Sequence, residues 1–262
     1  MTGSVNVTYF DTAMALIEIG GLRLLTDPVL DPAGAAFDYG PIHLQKTLGA
    51  STTAEALGRI DAVLLSHDQH GDNLDNAGRA FLATAPVVFT TTLAAGRLEG
   101  VKSFGLEPWS SASLQSADGN PVRITAMPAQ HGPDGTQEAT GPVIGFLLEH
   151  SSLSAPVYIS GDTVRFSGTD EIARRHGPIG LALLHLGRVQ LEPFGEAAFS
   201  LSAEEAAAYA AALQPRWIVP LHFEGWRHFS QGRAEAAAVL DRTGIGDKVH
   251  WLGQGETATF EI

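Results

Sequence analysis

A layered α/β fold, α+β in some schemes, is predicted by three features of the 262-residue chain. Short apolar runs recur in both halves, and some carry no polar alternation, as strands buried on both faces require. Helix-forming stretches lie between and after them, most clearly the alanine-rich run 203–213. Strand-like segments interleaved with helices stack in layers rather than as a helical bundle. No linker and no close tandem repeat divide the chain. One domain over 1–262 is expected, with two similar halves meeting near residue 120.

Residues 5–10, 15–19 and 22–26 read as a hairpin or meander turning at Gly20-Gly21. Asp27, before Pro28, is either a turn cap or an outer partner of a site at that strand end. Residues 28–52 contain Pro28, Pro32, Gly34, Gly40 and Pro41 and read as a long irregular loop. Such loops often cover sites, and Phe37, Tyr39 and His43 are its candidate pocket residues. A short helix is expected at 53–57 and the central strand at 60–65. Asp75 would cap a helix to about 83, and Thr92 one through 98, with a buried strand at 87–91 between them. Strands follow at 101–104, 113–117 and 122–127, the last leading to Pro128 and His131. After a polar, Gly- and Pro-rich loop at 132–141 come strands at 143–149 and 157–160, the second ending in Gly161-Asp162-Thr163. A helix at 170–176 precedes a strand at 179–184 that ends at His185. Ser202-Ala203-Glu204-Glu205 is a capping box opening a helix that stops before Pro215. A strand at 217–219 leads to Pro220-Leu221-His222, a helix at 234–242 follows, and the chain closes on a strand at 257–262.

Composition narrows the function. With 44% apolar and 17% charged residues the chain folds rather than staying disordered. A net charge of -13 and the lack of any basic run exclude a broad nucleic-acid-binding face. A small anionic substrate would need local positive charge, which a metal supplies. There is no cysteine, hence no disulfide and no thiolate metal site. The N-terminus lacks a basic region followed by an apolar stretch, and no segment approaches the roughly 20 apolar residues of a membrane span. A soluble cytoplasmic protein with a small-molecule substrate is expected; composition does not set its oligomeric state.

The densest chemistry lies in VLLSHDQHGDNLD (63–75), where a buried-strand run enters a turn full of imidazoles and carboxylates. Such groups are costly to bury unpaired, and coordinating a metal holds them cheaply. Further strand ends carry His131, Asp162, His185 and His222. In layered α/β folds, sites gather at the C-terminal ends of strands. Four of the ten histidines stand within a few residues of such an end. If the turn were extended, Asp68, His70 and Asp72 would share one side and His67 and Gln69 would point away; a tight turn breaks that rule, so Asp68 and His67 both stand as candidates. No phosphate-binding glycine loop and no G-x-S-x-G nucleophile motif is present.

With IEIGGLRLLTDPVL (17–30), VLLSHDQHGDNLD (63–75), MPAQHG (127–132), VYISGDT (157–163) and VPLHF (219–223), the chain resembles the metallo-β-lactamase fold superfamily of metallohydrolases. In style it is similar to the branch of the L-ascorbate-6-phosphate lactonase and the N-acyl-phosphatidylethanolamine phospholipase D. The resemblance implies a four-layer αββα sandwich of two mixed β-sheets flanked by helices. It also implies one or two Zn²⁺ ions, with Mn²⁺ or Fe²⁺ as alternatives. The family pattern His-x-His-x-Asp-His is altered here. Anchoring on His67 puts Gln69 at the second histidine; anchoring on Asp72 puts Asp68 at the first and Asn73 at the last. One extra residue in the turn reconciles the two and leaves His67, His70 and Asp72 as ligands, with Asp68 the rival to His67. The resemblance makes His131 a ligand of the first metal, His222 of the second, and Asp162 the bridge. Asn73 leaves the second ion weaker or absent, unless His185 supplies an imidazole. His228, Glu224 and Trp226 are expected to line the pocket or support it, and His43, His150, His176 and His250 to be surface or structural.

The chemistry implied is attack by a metal-activated water on a lactone, ester or phosphodiester. Asp72 or Asp68 would orient the water or carry its proton, and a second ion, or His185 or His228, would stabilise the developing oxyanion. Arg165, Arg188 and Arg227 are the candidates for holding an anionic group, if any faces the pocket. The rival is a non-catalytic protein of the same fold that binds a small molecule or partner, its polar groups satisfied by one another.

Overall fold

The computed structural model describes residues 3–116 and 119–262. Met1 and Thr2, and Ala117 at the end of the strand expected from 113, lie outside the described residues. The chain opens with an antiparallel meander, β1 (Ser4–Asp11), β2 (Met14–Ile19) and β3 (Leu22–Thr26). Alternate residues Val5, Val7 and Tyr9 of β1 are buried, the period of a strand with one face on a core. Inside the segment expected to be irregular stands a hairpin, β4 (Ala36–Tyr39) and β5 (Ile42–Gln45). Its less exposed side chains, Phe37, Tyr39, Ile42 and Leu44, alternate with exposed Asp38 and His43, but strands of only four residues joined at Gly40-Pro41 read as loop. The expected helix at 53–57 is a single turn closed by Leu57 N–H donating to the Thr53 carbonyl at 3.1 Å.

β6 (Ala62–Leu64), β7 (Val88–Thr91) and β8 (Ser103–Leu106) then extend the meander in parallel from β3. Between them run α1 (Asn76–Leu82) and α2 (Thr92–Arg97). Asp75 caps α1 as expected, accepting from Gly78 N–H at 2.8 Å. The α2 cap is Thr91 rather than Thr92: Thr91 is still extended and its hydroxyl accepts from Ala94 N–H at 3.1 Å. Thr92 is already helical and donates to Glu107 at 2.6 Å.

The second sheet comprises β9 (Ser111–Gln115), β10 (Pro121–Pro128), β11 (Ile144–Glu149), β12 (Val157–Ile159), β13 (Leu181–His185) and β14 (Trp217–Leu221). Helices α3 (Gln137–Thr140), α4 (Ser167–His176), α5 (Ala203–Leu213) and α6 (Arg233–Arg242) belong to this half, and β15 (Thr257–Glu261) returns to pair with β1. The capping box of α5 forms in both directions between Ser202 and Glu205. Pro220 sits in β14, where the edge position tolerates its missing N–H.

Among the described residues the sheets have seven strands in the order β15-β1-β2-β3-β6-β7-β8 and six in the order β14-β13-β12-β11-β10-β9. One apolar cluster fills the space between them, including Val7, Ile17, Leu64, Phe146 and Leu183. A second packs α4, α5 and α6 on the outer face of the six-stranded sheet through Ile172, Tyr209 and Leu240. A third packs Phe81 and Leu82 of α1 on the other sheet. This is the αββα sandwich. Leu64 faces the inner core and Val63 the outer one, so the unbroken apolar run does mark a strand buried on both faces.

Just past β5, Lys46 turns inward and is fully buried. Its Nζ lies 2.9 Å from Asp11 Oδ2 and 3.0 Å from Asp75 Oδ2, both also buried. The hairpin is thereby tied to β1 and to the start of α1.

Candidate metal centre

The strands carrying the chemistry end at one edge. β12, β13 and β14 are mutually parallel, and β10 runs with them because both β10 and β12 oppose β11. In the other sheet β6 presents the turn that begins at Ser66. Hydrogen bonds from Asn73 and Leu74 N–H to the His70 carbonyl, at 3.3 and 2.9 Å, fold that turn and cancel any period-two display of side chains. Gly71 is required in it: a Cβ there would stand 2.7 Å from the Phe37 ring.

Two groups of ligand atoms result, His67 with His70 and His131, and Asp72 with Asp162 and His222, each within 4.8 Å of one another. His67 Nε2 lies 3.0 Å, and His131 Nε2 3.1 Å, from the same His70 Nδ1. The far nitrogens orient two of these rings. His131 Nδ1–H donates to the Phe199 carbonyl at 2.6 Å, which leaves its Nε2 as a bare lone pair aimed at the group. His67 Nδ1 is 2.9 Å from Ser66 Oγ.

Asp162 joins the groups. Gly161 delivers it with φ +61°, and a Cβ at that position would stand 2.6 Å from the Ile144 carbonyl oxygen. Asp162 Oδ1 takes a hydrogen bond from His185 Nδ1 at 2.9 Å. Its Oδ2 lies 3.8 Å from His131 Nε2 and 3.5 Å from His222 Nε2, with no hydrogen-bond partner. His222 Nε2 is 3.3 Å from Asp72 Oδ2, which accepts from His228 Nε2 at 2.8 Å. His222 holds a left-handed backbone, φ +58°, fixed by its N–H donating to the Thr12 carbonyl at 2.6 Å. Strain of this kind costs about 1–3 kcal/mol and collects at functional sites.

The remaining candidates are placed differently. Asp68 belongs to neither group; Arg97 of α2 grips its carboxylate with two nitrogens, and Arg79 of α1 donates to its carbonyl at 2.6 Å. Gln69 turns to the carbonyls of Thr140 and Pro142 at 3.3 and 3.1 Å. His185 stacks on His222, ring centroids 5.5 Å apart, and its Nε2 is buried without a partner. Asn73 Nδ2 reaches Asp27, Ser66 and Asp162 only at 3.4–3.5 Å. Asp27 is buried against the site, accepting from Ser66 N–H at 2.6 Å. His43 pairs with Asp38 on the exposed hairpin. Sequence reasoning missed Arg97, Arg79, Ser66 and the Phe199 carbonyl. The first, second and last are remote in sequence; Ser66 adjoins His67 and was the one with a local signal.

The electrostatics of the histidine group match neutral ligands, and the paired carboxylates beside it draw positive charge. Burial, then the neighbouring His131, pushes His70 down to about 4, and burial with His70 beside it pushes His67 well below the usual range. Both are therefore neutral donors. Burial opposes ionisation of Asp162, but His222, His185 and His131 outweigh it and hold the carboxyl below its usual range. Burial disfavours charge on His222 too, yet Asp162 and Asp72 raise it to about 9. Burial lifts Asp27 to about 8 against the Ser66 hydrogen bond. Asp72 Oδ1, Asp162 Oδ2, His185 Nε2 and His222 Nε2 are buried without a hydrogen-bond partner. A pocket stabilised by mutual hydrogen bonds would not leave that set open, whereas imidazoles and carboxylates converging on a common space fit a divalent cation.

The centre opens into a cavity of about 350 Å³ between the hairpin and residues 189–194, with His70, Asp72, His131 and His228 at its floor. Among the described residues no helix is long and apolar enough to cross a membrane.

Comparison with known proteins agrees with this construction. A curated relative from Pelotomaculum thermopropionicum, a UPF0173 metal-dependent hydrolase, is 30% identical over 261 residues, covering 97% of this chain and 99% of its own. Another of the same description from Pyrococcus furiosus is 27% identical over 226 residues, 85% and 86% of the two chains. The crystal structure of isothiocyanate hydrolase from Delia radicum gut bacteria superposes with a TM-score of 0.83 at 23% identity, covering 98% of this chain and 100% of that one, and shows the shared fold. The family model of the Beta-lactamase superfamily domain matches residues 22–223, a span that holds both ligand groups, and the chain belongs to that family.

Proposed function

We infer that the chain is a metal-dependent hydrolase that directs an activated water onto a small electrophile at the junction of its two ligand groups. The observation that carries this is Asp162 Oδ2, a buried carboxylate oxygen with no hydrogen-bond partner that faces the imidazoles of both groups. His67, His70 and His131 would hold one ion, Asp72 and His222 a second, and Asp162 both. The donor set of imidazole and carboxylate suits Zn²⁺, with Mn²⁺ and Fe²⁺ as alternatives. A cation held there supplies Lewis acidity, which makes water nucleophilic at neutral pH and polarises the bond under attack.

The chain's own groups do the rest. His185 donates to Asp162 Oδ1 and so aims the other oxygen between the groups. Asp72 orients His228, whose Nδ1 is buried and unpartnered at the cavity floor, placed to carry a proton to the departing group. Arg97 fixes Asp68, and with it the turn between His67 and His70; Asp68 is thus a positioning residue. The extra residue in that turn accounts for the altered motif. Lactones, esters and phosphodiesters all fit this chemistry, in the manner of the lactonase and phospholipase D branch of the superfamily.

Elemental mass spectrometry of the purified protein, with hydrolysis of p-nitrophenyl esters and bis(p-nitrophenyl) phosphate, tests the assignment. Two equivalents of metal are expected, with loss of at least one and a fall in kcat of at least about 100-fold in Asp162→Asn. Absence of metal after incubation with zinc, manganese and iron would refute it.

A further inference from the structure

We propose that the pocket is built for substrates whose body is uncharged and apolar, an ester or lactone bearing a short hydrocarbon chain, and against anionic phosphodiesters. This rests on the hydrolase reading for its chemistry and on the cavity walls for its selectivity. One wall is the hairpin, through Ile42 and Leu44; the other is Val189, Leu191 and Phe194. Four of the five are aliphatic. Ile42 and Leu191 are half-buried and Phe194 is exposed, so apolar surface stands in water until a ligand covers it. At about 350 Å³ the cavity lies near the small end of ordinary ligand sites, about 300 to 1,000 Å³.

Apart from a cation held by the ligand groups, the cavity walls offer no positive charge to a phosphodiester. Among the described residues no lysine or arginine lines the cavity. Arg227 lines a neighbouring groove beside Ile42 and Leu191 instead. Arg165 pairs with Asp170 at 2.6 Å, Arg97 with Asp68, and Lys46 with two aspartates. The chain's net charge of -13 adds long-range repulsion of anions. Of the polar side chains beside these walls, Tyr39 packs edge-on against the His70 ring, centroids 5.9 Å apart, and Gln69 is turned to the carbonyls of Thr140 and Pro142.

The test uses zinc-loaded protein and two series. Hydrolysis is measured on p-nitrophenyl acetate, butyrate and hexanoate, with bis(p-nitrophenyl) phosphate alongside. Binding is measured by calorimetry with straight-chain alkyl hydroxamates of two, four and six carbons. Both kcat/KM and affinity should rise about fourfold per methylene, the factor corresponding to about 0.8 kcal/mol per buried CH₂. Leu191→Arg should flatten both series; Ile42→Arg repeats the test on the opposite wall should the first variant not fold. Flat series in the native protein, or faster turnover of the phosphodiester than of the hexanoate, would overturn the proposal while leaving a hydrolase. No hydrolysis at all with a steep hydroxamate series would remove the hydrolase reading and uphold the apolar pocket.

Discussion

Replacing Lys46 with methionine tests whether the hairpin is secured by the buried charge cluster. Methionine keeps most of the aliphatic stem and removes the ammonium that lies 2.9 Å from Asp11 and 3.0 Å from Asp75. Breaking a buried pair by deleting one partner costs about 3–5 kcal/mol. The low end applies here, because the carboxylates retain other donors. Asp75 keeps the backbone N–H groups of Leu30, Asp31 and Gly78 at 2.7–2.9 Å, and Asp11 keeps Thr12 and Gln254 at 3.1–3.2 Å. About 3 kcal/mol in a chain of this size lowers Tm by roughly 6 to 12 °C. The pH dependence has a defined sign. Burial raises the Asp11 carboxyl above its ordinary value even with Lys46 lowering it. A raised carboxyl costs nothing below its unfolded pKa and its full penalty above its folded one. Loss of Lys46 raises it further, so the gap between variant and native protein should be widest at pH 7 to 8 and narrow toward pH 4. Urea unfolding followed by circular dichroism across that range measures it. The double variant Lys46→Met with Asp11→Asn should recover most of the loss. A Lys46→Met cost below about 1 kcal/mol, or a double variant no better than the single, would refute the account.

Two further outcomes follow from the metal centre. Arg97→Ala should cost about 1–3 kcal/mol of stability, because the guanidinium is half exposed but the Asp68 carboxylate it leaves is buried, and weaken zinc binding by roughly tenfold in a calorimetric titration by freeing the turn around Asp68. Stripping metal with a chelator should lower Tm by about 5 to 10 °C relative to protein holding zinc at about 100 times its Kd, where binding contributes about 2.7 kcal/mol; scanning calorimetry with and without chelator reads the difference.

Much of the sandwich is legible because its strands obey simple burial rules. The unbroken run at Val63 and Leu64 and the alternation of Val5, Val7 and Tyr9 both report which faces are covered. Caps carry equally local information, as at Asp75 and Ser202. The hairpin at 36–45 is not legible because its four-residue strands, although alternating at Phe37, Tyr39, Ile42 and Leu44, stand among Pro32, Gly34, Gly40 and Pro41, which read as loop. At the centre, strand ends gave His67, His131, Asp162, His185 and His222 as candidates, and the structure gathers them at one edge. What each does depends on partners distant in sequence. Asp68 is turned by Arg97, His131 is aimed by the Phe199 carbonyl, and Asp72 is shared by His222 and His228. A buried lysine such as Lys46 gives no signal at all, since one sequence shows its charge but not the two carboxylates that neutralise it.

The ligand groups draw on both sheets: one turn follows β6 in the seven-stranded sheet, while His131, Asp162 and His222 follow strands of the six-stranded one. In a chain with no cysteine, an ion seated there acts as the cross-link that a disulfide provides elsewhere. It closes long stretches of chain, for which the entropy removed from the unfolded ensemble is large and grows only slowly with further length. Unlike a covalent bridge, this staple is reversible and answers to metal supply. Metal starvation would therefore loosen the seam between the sheets as well as silence the chemistry, and backbone amides along that edge would exchange with solvent before those of the distal core.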